Sequence, residues 1–86
     1  MNDVMLFRRA ILLQLDVAYP VSLSFDTISS GLKINGFSFS EKELLSSLFY
    51  LSEKGLLKLQ SSKISAEHKR AKLTANGKEY IESGDF

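Results

Sequence analysis

Residues 39–59, FSEKELLSSLFYLSEKGLLKL, form a helical pattern with a marked start and a marked end, followed directly by a strand pattern. Ser40 is a favourable N-cap, and Glu43 three residues later completes a capping box, in which the two residues satisfy each other's backbone N–H groups. Gly55 suits the left-handed conformation that commonly ends a helix. The stretch therefore predicts one helix that starts at the serine and stops at the glycine.

The predicted helix has one apolar face and one polar face. Leu44, Leu45, Leu48 and Leu51 recur at helical spacing and predict the side that packs on a core. The opposite side is predicted to offer solvent the polar residues Lys42, Glu43, Ser46, Ser47, Tyr50, Glu53 and Lys54. Among the acidic residues at the helix start, Glu41 and Glu43 have a structural interpretation as capping groups and partners of the helix dipole.

A first helix is predicted from Val4 to Ala18, and it carries two apolar stripes. One stripe, expected to face the core, contains Val4, Phe7, Ile11, Leu15 and Ala18. The second stripe contains Leu6, Ala10, Leu13 and Val17. Two interpretations of this second stripe stay open: burial within the fold, or a homodimer interface through Leu6, Leu13 and Val17.

The rest of the chain is predicted to alternate between short strands and helices. Gly31 lies inside one predicted helix and indicates either a weak helix or a backbone segment that passes close by. The remaining predicted elements are an edge strand at 21–23, a helix at 25–34 capped by Ser24, antiparallel strands at 56–60 and 68–73, and a helix from 75 to about 83 capped by Thr74. Together they predict a single α+β domain over residues 1–86.

The composition excludes several classes of protein. The chain contains no cysteine and one histidine, so we expect no disulfide framework and no metal site. Its longest apolar run, residues 10–13, is far too short to span a membrane, and no signal-peptide pattern is present, so we expect a cytoplasmic protein. No nucleophile elbow, phosphate-binding glycine loop or metal-ligand spacing occurs, so we expect neither enzymatic activity nor a cofactor.

Two motifs resemble the winged helix-turn-helix superfamily. LxYLxEKGLLKL at 48–59 resembles the end of the third helix and the first wing strand of small regulators of the MarR, PadR and ArsR kind. KLTANGKEYI at 72–81 is similar to their second wing strand and the helix that follows it. The resemblance implies a three-helix core, a short strand, a two-stranded wing and a C-terminal helix. It also implies a regulator whose third helix enters the DNA major groove while the wing contacts the flanking backbone.

The charge distribution supports a contact with an anion. The net charge is only +1, but residues 57–72 contain five cations and one anion. The resemblance implies that double-stranded DNA is contacted by Lys42, Ser46, Ser47, Tyr50, Lys54, Lys63, Lys69 and Arg70. The alternative function is a winged-helix module for protein interaction or dimerisation that binds no DNA, since the third helix carries three glutamates and no arginine.

Overall fold

In a computed structural model, the described residues, 3–61 and 68–84, form four helices and three strands. In chain order these elements are α1 (Val4–Ala18), β1 (Leu23–Ser24), α2 (Phe25–Ile34), α3 (Glu41–Glu53), β2 (Leu57–Ser61), β3 (His68–Leu73) and α4 (Ala75–Glu82). This order confirms the predicted α+β architecture, with three helices before a β-hairpin and one helix after it.

The strands form one antiparallel sheet in the order β1-β3-β2. Leu57 pairs with Leu73 across the hairpin, and Leu23 pairs with Ala71 on the other side of β3. The first strand therefore lies at a sheet edge, as predicted. It covers Leu23–Ser24 and not 21–23, because the backbone reaches pairing distance of β3 only at these two residues.

The predicted helix caps are all present. The Ser40 N–H donates to Glu43 Oε1 at 2.9 Å, and the Glu43 N–H donates to Ser40 Oγ at 3.1 Å, which completes the capping box of α3. Ser24 and Thr74 are the N-caps of α2 and α4, and their hydroxyl oxygens accept the backbone N–H groups of Thr27 and Gly77. Gly55 has a φ of +77°, the left-handed conformation that lets the chain turn from α3 into β2.

The core lies between the helices and one side of the sheet. Its buried members come from the leucine face of α3, the first stripe of α1, the buried side of α2 and the hairpin. They are Phe7, Ile11, Leu12, Leu15, Ile28, Leu32, Leu44, Leu48, Leu51, Leu57, Ala71 and Leu73. Leu12 belongs to neither predicted stripe of α1, so the buried side of that helix is wider than its sequence spacing indicates.

Two glycines inside helices meet different kinds of neighbour. A Cβ atom at Gly31 would meet the side chain of Gln14, whose Nε2 donates to Ile28 O at 3.1 Å. The close neighbour of Gly31 is thus a side chain and not the backbone that was one of the two expected alternatives. A close backbone approach occurs instead at Gly77 in α4, where a Cβ would overlap the carbonyl oxygen of Leu56.

The last helix, α4, is hydrogen-bonded to the turn after α3 and to the C-terminal part of α1. Thr74 Oγ1 donates to Gly55 O at 2.6 Å, which joins the start of α4 to the turn after α3. Lys78 Nζ lies 2.7 Å from Asp16 Oδ1 of α1, and this hydrogen bond raises the pKa of Lys78. Tyr80 and Ile81 pack against the core. Within 3–61 and 68–84, no helix has the length and apolar character needed to cross a membrane.

Candidate nucleic-acid interface

One side of α3 is open to solvent along the full length of the helix. Lys42, Ser46, Phe49 and Glu53 follow one another at spacings of three or four residues, and all four are exposed. We call these four residues the outer face of α3. Its central apolar member, Phe49, has 47% of its surface exposed. The outer face therefore combines an aromatic ring with a cation, a hydroxyl and a carboxylate.

Ser47 corrects the predicted composition of the interface. It was expected on the solvent side, but only 5% of its surface is exposed. The reason is helix geometry: Ser47 lies three residues after Leu44 and four before Leu51, so it shares their buried row. The prediction that Ser47 contacts DNA is wrong, because its small hydroxyl is covered by the fold. Its polarity, more than its position, had suggested a surface residue.

The acidic start of α3 is largely accounted for by capping. Glu43 is half-buried, and its carboxylate accepts the backbone N–H of Ser40. Glu41 lies in the first turn, where its charge is favourable to the helix dipole. Glu53 is the one carboxylate of the outer face. Two of the three glutamates that argued against a DNA-binding helix thus have a structural role at its N-terminus.

A cluster of cations surrounds Tyr50 at the C-terminal part of α3. The guanidinium carbon of Arg8 lies 3.7 Å from the centre of the Tyr50 ring, in cation–π geometry. Lys54 Nζ lies 5.7 Å from the centre of the same ring. The structure thus brings α1 and α3 together at one positive site. The contact between Arg8 and Tyr50 was not predicted, because the two residues belong to different helices and lie far apart in the sequence.

The cations of the hairpin lie on different sides of the sheet. Lys58 and Lys72 are paired directly across β2 and β3, on the side opposite the buried Leu57 and Leu73. The register shift near Gln60 leaves Lys69 as an extra residue of β3, the arrangement of a β-bulge.

Lys69 lies beside the third helix. It is exposed, and it lines one groove together with Leu45 and Phe49 of α3 and Phe25 of α2. Lys69 and one member of the outer face, Phe49, therefore border the same groove, which the carboxylates of Asp26 and Glu41 also line, whereas Lys58 and Lys72 lie on the other side of the sheet.

Arg70 is engaged within the fold. Its Nε donates to Ser22 Oγ at 2.8 Å, and its Nη2 donates to Ser22 O at 2.9 Å. These bonds join β3 to the segment before β1 and engage two nitrogens of the guanidinium, so Arg70 has a structural role, and its DNA contact stays a prediction. The predicted contact of Lys63 lies outside the described residues.

The second stripe of α1 is exposed. The exposed fractions are 53% for Leu6, 42% for Leu13 and 88% for Val17, whereas Ala10 packs against the core. Of the two interpretations left open by the sequence, burial of these three residues within the described fold is therefore wrong. They form an apolar row on the surface, which is a common feature of interaction sites.

The same architecture occurs in a solved structure. The X-ray structure of a PadR-like transcription factor from Bacteroides fragilis matches with a TM-score of 0.76, covering 95% of this chain and 79% of that chain at 21% sequence identity. No known family profile matches this sequence, and no curated protein matches it either. The geometry of α1–α3, the sheet and the hairpin, together with this likeness, defines the fold: the chain has a winged helix-turn-helix fold.

Proposed function

We propose that this protein is a cytoplasmic transcriptional regulator that binds double-stranded DNA through α3 and the wing. The observation that carries the proposal is the placement of Lys69 in the same groove as Phe49, the central residue of the exposed outer face of α3. A helix of this kind enters the major groove while a wing contacts the adjacent backbone. The name of the similar structure, a PadR-like transcription factor, supports the same function.

The side chains of the outer face suit distinct parts of a duplex. Lys42 and Lys69 suit phosphate oxygens, since contacts of this kind orient a protein on DNA. Ser46 suits a phosphate or a base edge, and the exposed ring of Phe49 suits the methyl group of thymine. Lys54 extends the positive surface toward the C-terminal end of α3. Tyr50 is covered in part by Arg8, which leaves its hydroxyl as the group that can reach a phosphate.

The proposed regulator acts as a homodimer through α1. Leu6, Leu13 and Val17 would lose their exposed surface against the same residues of a second copy, as expected for a two-fold interface. A dimer would also present two α3 helices to one duplex, the arrangement by which helix-turn-helix proteins bind paired half-sites.

DNA binding is tested by fluorescence anisotropy with labelled 30-bp duplexes of random sequence, between 25 and 200 mM KCl. A plot of log K against log salt concentration has a negative slope, and each lost phosphate contact lowers the magnitude of that slope by about 0.9. We expect Lys69→Gln to weaken binding and to lower the slope by about 0.9. Lys58→Gln, which removes a cation from the same hairpin, should leave the slope unchanged because Lys58 lies on the other side of the sheet.

Two results would reject the DNA-binding proposal. One is the absence of binding to any duplex at 25 mM KCl by the wild-type protein. The other is an equal loss of slope in Lys58→Gln and Lys69→Gln, which would mean that the arrangement beside α3 does not matter.

Dimerisation is tested by sedimentation equilibrium at several protein concentrations. Leu13→Glu should convert the dimer into a monomer, because it places a charge in the centre of the exposed row of α1. Ile34→Glu is the matched control, since Ile34 is an exposed apolar residue of α2 outside that row. A wild-type monomer at millimolar concentration, or an equal effect of both variants, would contradict the proposed interface.

A further inference from the structure

A cavity of about 410 Å³ lies between the first half of α1, the C-terminal end of α3 and Tyr80 of α4. Its volume falls within the range of about 300–1,000 Å³ that is usual for small-molecule sites. Much of its wall is apolar, and the leucines that line it are Leu6, Leu12, Leu51 and Leu56. The cavity is therefore suited to a ligand with an apolar body.

The polar part of the wall carries charge of one sign. Arg8, Arg9 and Lys54 line the cavity, and none of its described lining residues is acidic. A cavity with three cations and no carboxylate attracts an anion and repels a cation. The electrostatic character of the wall thus restricts the ligand to apolar molecules that carry a negative group.

Arg8 supplies a specific position for that negative group. Its guanidinium carbon lies 3.7 Å from the centre of the Tyr50 ring. Its Nε is buried and, within residues 3–61 and 68–84, has no hydrogen-bond acceptor. A buried donor without an acceptor is energetically unfavourable. A carboxylate at the edge of the guanidinium would accept from Nε and a terminal nitrogen together, in the bidentate geometry that is favourable for arginine.

We propose that this cavity binds an amphipathic monocarboxylate, with the carboxylate on the edge of Arg8 and the apolar chain against the leucines. Lys54 adds a positive charge on the α3 side, and the cation–π contact with Tyr50 holds the guanidinium of Arg8 in position. The cavity shares no lining residue with the groove that Lys69 borders, although Lys54 and Tyr50 also belong to the surface proposed to contact DNA, and ligand binding in the cavity does not require DNA.

The ligand class is tested by isothermal titration of the full chain with decanoate, octanoate and decanol, each below its aggregation limit. We expect one decanoate per chain. Octanoate should bind more weakly by about fourfold for each missing CH₂, the value that apolar burial predicts. Decanol has the same chain without the charge and should bind at least about tenfold more weakly than decanoate.

The position of the carboxylate is tested with variants. Arg8→Gln should weaken decanoate binding by about tenfold or more. Lys33→Gln is the matched control, because Lys33 also lies near an aromatic ring, 5.9 Å from the centre of Phe39, but does not line the cavity. If circular dichroism shows that Arg8→Gln is unfolded, Lys54→Gln replaces it, with an expected loss of about threefold for a charge without the bidentate geometry.

Three outcomes would overturn the inference: no decanoate binding at millimolar concentration, equal affinity for decanol and decanoate, or unchanged affinity in a folded Arg8 or Lys54 variant. All titrations are done without DNA. Failure of the carboxylate site would therefore leave the DNA-binding proposal intact, and failure of DNA binding would not affect these titrations.

Discussion

The structure makes a sharp prediction for Gly77, the glycine at which α4 approaches the turn between α3 and β2. In Gly77→Ala the new Cβ would overlap the carbonyl oxygen of Leu56 and lie 2.7 Å from Leu73 Cδ1. The overlapping atom belongs to the backbone, so it cannot move away by rotating a side chain. The same carbonyl accepts the N–H of Thr74 at 3.2 Å, and a shift would therefore disturb the cap of α4 as well.

The size of the effect follows from three contributions to the free energy of unfolding. Alanine is favoured over glycine inside a helix by about 1 kcal/mol. Overpacking at a site that must move costs about 1–3 kcal/mol, and we expect the upper part of that range because backbone is involved. Weakening the Thr74 cap costs about 1 kcal/mol more. The expected net loss of stability is about 2–3 kcal/mol, or about 8–24 °C in melting temperature for a domain of this size.

The assay is thermal and urea unfolding followed by circular dichroism, with Gly31→Ala as the matched control. Gly31 is also a helical glycine, but its added Cβ would meet the flexible end of Gln14. Gln14 can rotate away at the loss of one hydrogen bond to Ile28 O, about 1 kcal/mol, which the higher helix propensity of alanine offsets. Gly31→Ala should therefore change stability by less than about 0.5 kcal/mol.

The two glycine variants share the same chemical change, so their difference isolates the contact. Equal stability of Gly77→Ala and Gly31→Ala would refute the reasoning. So would a stabilised Gly77→Ala, which would mean that helix propensity and not backbone packing dominates at this position.

Two further predictions concern contacts between distant parts of the chain. Arg70→Gln should lower the free energy of unfolding by about 1–2 kcal/mol, because the bonds to Ser22 are lost. A double-mutant cycle with Ser22→Ala measures the coupling energy between the two residues. A coupling energy near zero would contradict the structural role of Arg70. The second prediction concerns Lys78, whose pKa is raised by its bond to Asp16. This bond stabilises the fold fully at pH values below the unfolded-state pKa of about 10.4. Its contribution is lost as the pH rises through the higher folded-state pKa, where Lys78 loses its proton. The stability difference between wild type and Asp16→Asn should therefore be present at pH 8 and vanish above that folded-state pKa; a difference that persists in full would contradict the assigned bond.

Local elements were predictable because their determinants lie within a few residues of one another. The capping box of α3 needs only Ser40 and Glu43, which are three positions apart. The left-handed turn at Gly55 depends on the glycine itself. The sequence therefore predicted the bounds of α1 and α2 and the start of β3 as they occur in the structure. Even the burial of Ser47 follows from helical spacing, and the error there was to give polarity more weight than position.

Tertiary structure decided how these elements face one another. Arg70 and Ser22 are 48 positions apart, so no local pattern indicates that this arginine is engaged within the fold. The stacking of Arg8 on Tyr50 depends on the packing of α1 against α3. The side of the sheet on which each wing lysine lies depends on strand register and on the bulge at Lys69. By itself the sequence determined the elements, their caps and most of the core, because short-range hydrogen bonds and apolar periodicity suffice for these. Only the assembled structure decided which cations border α3, because that arrangement arises from contacts between residues far apart in the chain.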